Sequence, residues 1–509
     1  MKGYFIGMEK AKSSAGGLKK ALKFVFFYAV VSISASQCFA QSSAVTADKK
    51  AQRDREYLEI INSLYYYIQQ NYVDEVDAEK LYEGALKGMI DSLGDPYSQY
   101  LSKDDWRSLS DTTVGTFGGV GLSITKPTEN KPDKPAYVEV AQPIDDSPGA
   151  KAGIQPGDFI VKIDGVDTST LTMNEVLDRL RGTVGEPVTV TIKRGKKMEF
   201  DCTLVRALIE NPTVKYGMIR DTLYIRLSEF GSTTADKVKD ALDKYRRNYK
   251  SIILDLRNNG GGLLTAAYNI ADMFIDDGVI VSTKSRIAYE NSVYTAAKRN
   301  TEVPAEIPVI VLINGASASA SEILAGALKD ARRAYLVGEN SYGKGSVQIP
   351  TPLINNDGFK ITVAKYYSPT DVNIDKIGIP PDREVSSPEM TDEESEAFTK
   401  LMSEDTIEKY VEEHPNMSEA SIANYAKELQ KTYKLDLRIL RKMVRNQVQR
   451  TQKSPLYDLD YDLQLNAALG IFAEEDYSAL MSQAKDLKQL ETERLAKESQ
   501  TAKADTEKQ

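Results

Sequence analysis

The chain has 509 residues, 41% hydrophobic and 27% charged, an ordinary globular balance with length for about two to four domains. Lys and Arg number 65 against 74 Asp and Glu, for a formal charge of −9, which excludes phosphate recognition over a broad basic face, so no nucleic-acid partner is expected. One histidine and two cysteines exclude a histidine-rich metal site and a cysteine cluster, so neither metal nor cofactor is expected. Cys38 is expected to leave with the N-terminal segment, which leaves Cys202 without a disulfide partner.

Residues 1–40 are a segment apart. Lys19, Lys20 and Lys23 precede the apolar FVFFYAVVSISAS, and CFA ending at Ala40 offers small residues suited to signal-peptidase cleavage. Basic, apolar and small-residue regions in that order make a secretory signal. The strongly apolar part is only about ten to twelve residues, short for a membrane span, yet no charge occurs between Lys23 and Asp48. Cleaved export and a retained anchor in the inner membrane both remain open; a lipid on Cys38 is disfavoured by the bulky Gln37 before it. Each reading puts the protein in the periplasm or cell envelope.

Residues 54–110 read as helical. YLEIINSLYYYIQQNYV and AEKLYEGALKGMIDSL repeat apolar residues at three- and four-residue steps, and GDPYSQYL breaks the pattern. The stripe of Tyr65, Tyr66, Tyr67 and Tyr72 reads as core or as the seat of a partner helix, which leaves a homodimer open. From 115 to 206 the texture changes to short strands, glycines and one helix: GTFGGVGLSI, then SPGAKAGIQPGDFIVKIDGVDTSTL, the helix MNEVLDRLRG and the alternating EPVTVTIKR. Cys202, inside the alternating MEFDCTLVRA, reads as a small core residue.

From 213 to 385 strands and helices alternate as in α/β proteins. TLYIRLSEF, SIILDLRN and IPVIVLIN are strands, ADKVKDALDKYRR and LLTAAYNIADMFI helices, and NNDG signals a hairpin before FKITVAKYY. After Pro388, TDEE is a capping-box signature opening a helical region, 390–483. Residues 484–509 are polar, lack aromatics and are expected to stay unfolded.

Chemistry concentrates where IPVIVLIN runs into NGASASASEILAG, residues 314–326. Backbone N–H groups at a new helix lack intrahelical acceptors and sit at the positive end of the dipole, so they can stabilise an oxyanion beside a serine. The pattern does not choose among Ser317, Ser319 and Ser321, and capping or close packing would use the same residues. Beyond the helix, AYLVGENSYGKGSVQIP holds Lys344 between two glycines. Desolvation lowers a lysine pKa and can make the amine a general base. His414, in the polar VEEHPNMSE, is not expected to serve as that base.

Two sets of motifs carry resemblances. The run from the glycine-rich loop through AGIQPGDFIVKIDG resembles a PDZ domain, which implies that Gly119, Val120, Gly121 and Leu122 bind the terminal carboxylate of a peptide added to the sheet edge. SASASEILAGALKD with VGENSYGKGSVQ and DLRNNGGG resembles the carboxyl-terminal processing proteases, tail-specific Ser-Lys peptidases of family S41. That resemblance spans roughly residues 55–385 and implies a crotonase-like α/β core, residues 213–385, with an inserted PDZ domain, residues 115–206, and helical N- and C-terminal regions. It further implies Ser319 as nucleophile, Lys344 as general base, Gln348 orienting the lysine, and the N–H groups of Ala320 and Gly261 as oxyanion hole. Gly260 stands where the family often has proline or serine. Asp255 and Arg257 are expected to fix the turn rather than act chemically. The implied substrates are proteins or peptides presented by their C-termini. A non-catalytic peptide-binding scaffold on the same fold is the alternative.

Overall fold

The computed structural model describes residues 49–509 apart from 128, 130–134, 196, 387–389, 451–454 and 507–509; the expected export segment, residues 1–40, lies outside the described residues. The chain divides into two units, the first ending at Ser92. In it, residues 49–71 form one helix and Ala78–Asp91 another, started by Asp77, whose carboxylate accepts the Glu79 and Lys80 N–H groups. Tyr66, Tyr67 and Tyr72 are exposed and Tyr65 is half-buried. The aromatic stripe is therefore not core within this unit.

The second unit opens with a correction to the helical reading of 54–110. Gln99–Leu101 is a strand, paired antiparallel with Gly358–Lys360, and the chain is helical again only over Lys103–Val114. Its main sheet runs in the order Val214–Ile219, Thr222–Leu227, Ser251–Asp255, Val309–Ile313, Tyr335–Gly338, Arg383–Glu384; the first pair is antiparallel and the rest are parallel. SIILD and VIVLI are buried at every residue, as a parallel sheet covered on both faces requires. Helices Thr234–Tyr245, Leu264–Asp272 and Ala320–Asp330 bury residues in the core cluster of one face. Leu465, Ala468 and Ile471 of the helix Leu463–Glu474 pack with Tyr224, Ile253, Ile310 and Leu312 on the other.

Strands Thr116–Gly119 and Ala207–Glu210 pair antiparallel and zip the entry of an insert to its exit. Between them a sheet in the order Leu122–Thr125, Val138–Pro143, Phe159–Ile163, Pro187–Arg194, Met198–Val205 closes over its own core of Val138, Val140, Ile160, Val176, Val190 and Ile192. Cys202 is partly buried against that core. The helix Met173–Leu180 starts at a reciprocal box between Thr172 and Glu175.

After the sheet, Thr391 and Glu394 form the capping box that TDEE signals. Four helices between Asp392 and Val448 then gather a separate core. The expectation of an unfolded tail is corrected: Leu487–Thr506 is a helix. Leu487 is buried in the main core, Leu490 packs beside it, and the Leu487 N–H donates to Asp330 Oδ1 at 2.7 Å. Composition misses this because the segment is rich in strong helix formers and needs only two leucines once a formed surface receives them.

Candidate active site

Strands Ser251–Asp255 and Val309–Ile313 are direct neighbours, with Asp255 opposite Leu312. Their exit loops therefore leave the sheet side by side at its C-terminal edge, where such sheets bind ligands. The loops first bind one another. Asn258 N–H donates to Asn314 Oδ1 at 3.0 Å, Asn314 Nδ2 to Asn258 Oδ1 at 2.9 Å, and Ala318 N–H to Asn259 O at 3.0 Å.

The clustered serines separate by task. Ser317 and Ser321 are buried, and their hydroxyls donate to Leu256 O at 2.8 Å and Asn259 O at 2.9 Å, so both fasten one loop to the other. Ser319 is half-buried, takes a φ of +56° and heads the helix Ala320–Asp330. A left-handed serine is strained, and such turns hold a side chain clear of both the strand and the helix they join. Ser319 lines a cavity of about 440 Å³ together with Gly260, Gly261, Gly262, Lys344, Gln348 and Lys360.

Lys344 lies in the loop before the strand Ser346–Pro352. Its Nζ is 5.3 Å from the centroid of the Tyr97 ring. Burial first, and then the charge of Lys360, hold its pKa below the ordinary lysine value, against the opposite pull of Glu322 and Asp95. The flanking glycines are crowded by backbone: a Cβ on Gly343 would sit 2.9 Å from the Gly378 nitrogen, and one on Gly345 2.7 Å from that of Asp375.

One residue that the motif reading passes over ties this loop to the serine. Glu322 is buried; one carboxylate oxygen accepts the Ser319 N–H at 2.8 Å and the Lys344 N–H at 2.9 Å, and the other accepts Ser341 Oγ at 2.6 Å and the Gly343 N–H at 2.7 Å. Burial raises its pKa even though these donors favour the charged form. The signal was present: Ser319-Ala-Ser-Glu322 has the spacing of a capping box. Tyr366, also buried, donates its hydroxyl to Lys344 O and to Ser319 O, the latter at 3.4 Å.

Two expectations change. Gln348 shares the cavity with Lys344, but its Nε2 donates to Ser346 Oγ at 2.9 Å and Thr362 Oγ1 at 3.0 Å, and no hydrogen bond joins it to Lys344 among the described residues. The four-residue step fails as a reason because Lys344 precedes the strand and the pairing slips between Val347 and Gln348. Gly261, expected to donate to an oxyanion, already gives its N–H to Asn259 Oδ1 at 2.9 Å. What Gly261 supplies is clearance: at a φ of +106°, a Cβ there would meet Ser319 Cβ at 2.8 Å and the Ala320 nitrogen at 2.9 Å. At Gly260 an added Cβ meets nothing within 4 Å, so a larger residue fits there.

Asp255 and Arg257 hold the turn, as expected of them. The Arg257 Nε and Nη2 donate to the fully buried Asp255 carboxylate at 2.9 and 2.6 Å. In the insert, Gly119 and Val120 are buried, Leu122 opens the edge strand, and Gly121, at a φ of +69°, accepts the Ile144 N–H and the Ser147 hydroxyl on its carbonyl oxygen. His414 caps a helix in the C-terminal bundle and stacks on Tyr410.

Residues 221–385 match the model of peptidase family S41, residues 139–194 that of a PDZ domain, and residues 22–105 that of the activating protease CtpB N-terminal domain. A carboxy-terminal-processing protease of Bartonella bacilliformis is 41% identical over 372 residues, covering 72% of this chain and 83% of that protein. The chain belongs to the carboxy-terminal processing protease family. The processing protease CtpA of Bacillus subtilis is 32% identical, with 73% of this chain and 79% of that one covered. Among solved structures, a photosystem II D1 C-terminal processing protease is 28% identical, with a TM-score of 0.38 over 64% of this chain and 92% of that one. This carboxy-terminal processing protease is thus a serine-type hydrolase with a family S41 core and a PDZ domain, acting on protein or peptide substrates.

Proposed function

We propose that the protein is an exported endopeptidase that takes substrate C-termini on its PDZ domain and cleaves with a Ser319–Lys344 pair. The substrate carboxylate binds N–H groups of residues 119–122, and the tail adds to the edge strand Leu122–Thr125. Ser319 Oγ attacks the scissile carbonyl while its proton passes to the neutral Lys344 amine. The ammonium returns that proton to the departing amine, and Lys344 then deprotonates the water that opens the acyl-enzyme. Ala320 N–H, in the first helical turn, stabilises the oxyanion together with an N–H of the 260–262 loop other than that of Gly261. Gln348 lines the same cavity as Lys344 and keeps its proposed role in orienting the lysine, while its Nε2 is held by the Ser346 and Thr362 hydroxyls.

The observation that carries this reading is the pairing of a strained, helix-heading serine with a half-buried lysine of lowered pKa in one cavity. The basic, apolar and small-residue order of residues 1–40 supports export through the inner membrane, and the exposed apolar residues of the first unit, Leu58, Ile61, Leu64 and Tyr67 among them, support a homodimer. The test is digestion of an unstructured protein by wild type, Ser319→Ala and Lys344→Ala, with fragments read by mass. Each variant should lose at least ~10³-fold in kcat while still binding a peptide with a free C-terminus. Cleavage that survives Ser319→Ala refutes the reading.

A further inference from the structure

The segment matched by the peptidase family ends at residue 385, yet the Arg257 turn is completed by residues far beyond it. Arg257 Nη1 and Nη2 donate to Asp462 Oδ1 and Oδ2 at 2.7 and 2.6 Å, and Nη1 also donates to Gln464 Oε1 at 3.1 Å. Gln464 Nε2 in turn donates to Val385 O at 2.7 Å. The same Asp462 carboxylate caps the helix Leu463–Glu474, accepting the Leu465 N–H at 2.9 Å. That helix is the one that covers the second face of the main sheet. The Asp462 carboxyl is largely buried but lies below its usual pKa; burial opposes the shift and the Arg257 guanidinium outweighs it.

Arg257 therefore stands between two carboxylates. Asp255, at the end of its strand, is also fastened by the Tyr224 hydroxyl at 2.6 Å, so it belongs to the sheet. Asp462 arrives only when the C-terminal helix docks. Directly after Arg257 come Asn258, paired with Asn314, and Asn259, which holds both Leu227 O and the Gly261 N–H. The position of the guanidinium thus sets where the glycines stand against Ser319. A bidentate guanidinium–carboxylate pair fixes orientation as well as distance, and a displacement of about 1 Å in such a constellation can cost ~10²-fold in rate.

We propose that Asp462 is a positioning residue for the peptidase: seating the helix Leu463–Glu474 places a carboxylate on Arg257, and this sets the 256–262 loop in register with Ser319. The proposal rests on the Ser319 reading above. A loop held this way acts on the transition state and not on substrate capture, so kcat should fall while KM stays.

The experiment compares Asp462→Asn, Asp462→Ala and Tyr477→Phe in the full chain. Asn keeps an acceptor for the Leu465 N–H and removes the charge from Arg257, so it remains informative if the Ala variant does not fold. Tyr477→Phe removes the hydroxyl that donates to Val309 O at 2.7 Å, and so loosens the packing of the same C-terminal segment away from the loop. The expected result is ~10-fold lower kcat for Asp462→Asn and ~10²-fold for Asp462→Ala at unchanged KM. Tyr477→Phe should keep wild-type kcat with a lower Tm. In an Arg257→Gln background the Asp462 variants should lose little more, because the pair acts as one unit. A kcat within twofold of wild type in Asp462→Asn, or an equal kcat loss in Tyr477→Phe, overturns the proposal. Persistent cleavage in Ser319→Ala would instead strike the Ser319 reading, so the two failures can be told apart.

Discussion

Two glycine loops of this chain solve a similar packing problem to different ends. In the PDZ domain, a Cβ on Gly121 would lie 2.2 Å from Ser147 Cβ; in the peptidase core, a Cβ on Gly261 would lie 2.8 Å from Ser319 Cβ. Both glycines have positive φ, and both are pressed against a serine. Ser147 caps a short helix and holds Gly121 O, so its contact shapes from behind the loop proposed to receive substrate C-termini. Ser319 is the residue proposed to react, so the Gly261 contact sets the distance between nucleophile and loop. Crowding at a glycine thus says that position matters there; the neighbour says whether recognition or chemistry depends on it.

The sharpest way to break this comparison is Gly261→Ala. It should lower kcat by ~10²-fold or more, because the added carbon must displace either the loop or Ser319. Single-turnover acylation would check it, and an unchanged acylation rate would remove the loop from the chemistry. Gly121→Ala should act on capture instead: KM for a substrate with a free C-terminus should rise ~10-fold, with little change for the same substrate amidated. An equal rise for both would deny the loop its carboxylate.

The smallest effect concerns Lys360, which shares the Ser319 cavity and whose charge helps hold the Lys344 pKa down. The proposed mechanism requires the neutral amine, so on that reading activity rises as pH rises through the lowered Lys344 pKa. Lys360→Gln removes a like charge and makes the Lys344 ammonium easier to keep. The acid limb of the pH–kcat profile should then move to higher pH, while Glu322, Asp95 and the Tyr97 ring still face the amine. A shift to lower pH would show that Lys360 does not act through its charge.

Local pattern made a good part of this protein legible. SIILD and VIVLI could only be buried strands, TDEE opened a helix at the residue expected, and the NNDG hairpin closes with Asn356 at a φ of +59°. Consecutive residues, a strand feeding a helix and a lysine between glycines, led to the serine cluster and to Lys344, but only the family resemblance singled out Ser319 among the three serines. The tail helix escaped because its two anchoring leucines mean nothing without the surface that receives them.

What only the tertiary structure decided is who holds whom. Ser317 and Ser321 are told apart from Ser319 by carbonyls some sixty residues upstream, at Leu256 and Asn259. The Gly261 N–H is taken by a side chain two residues away, Gln348 is claimed by Thr362, and Arg257 waits for Asp462, 205 residues on. Hydrogen bonds have a reach of about 3 Å and a direction, and neither is encoded by residue type. The sequence by itself determined which groups could do the chemistry; the packing of distant segments decided which of them stand ready and which are already engaged.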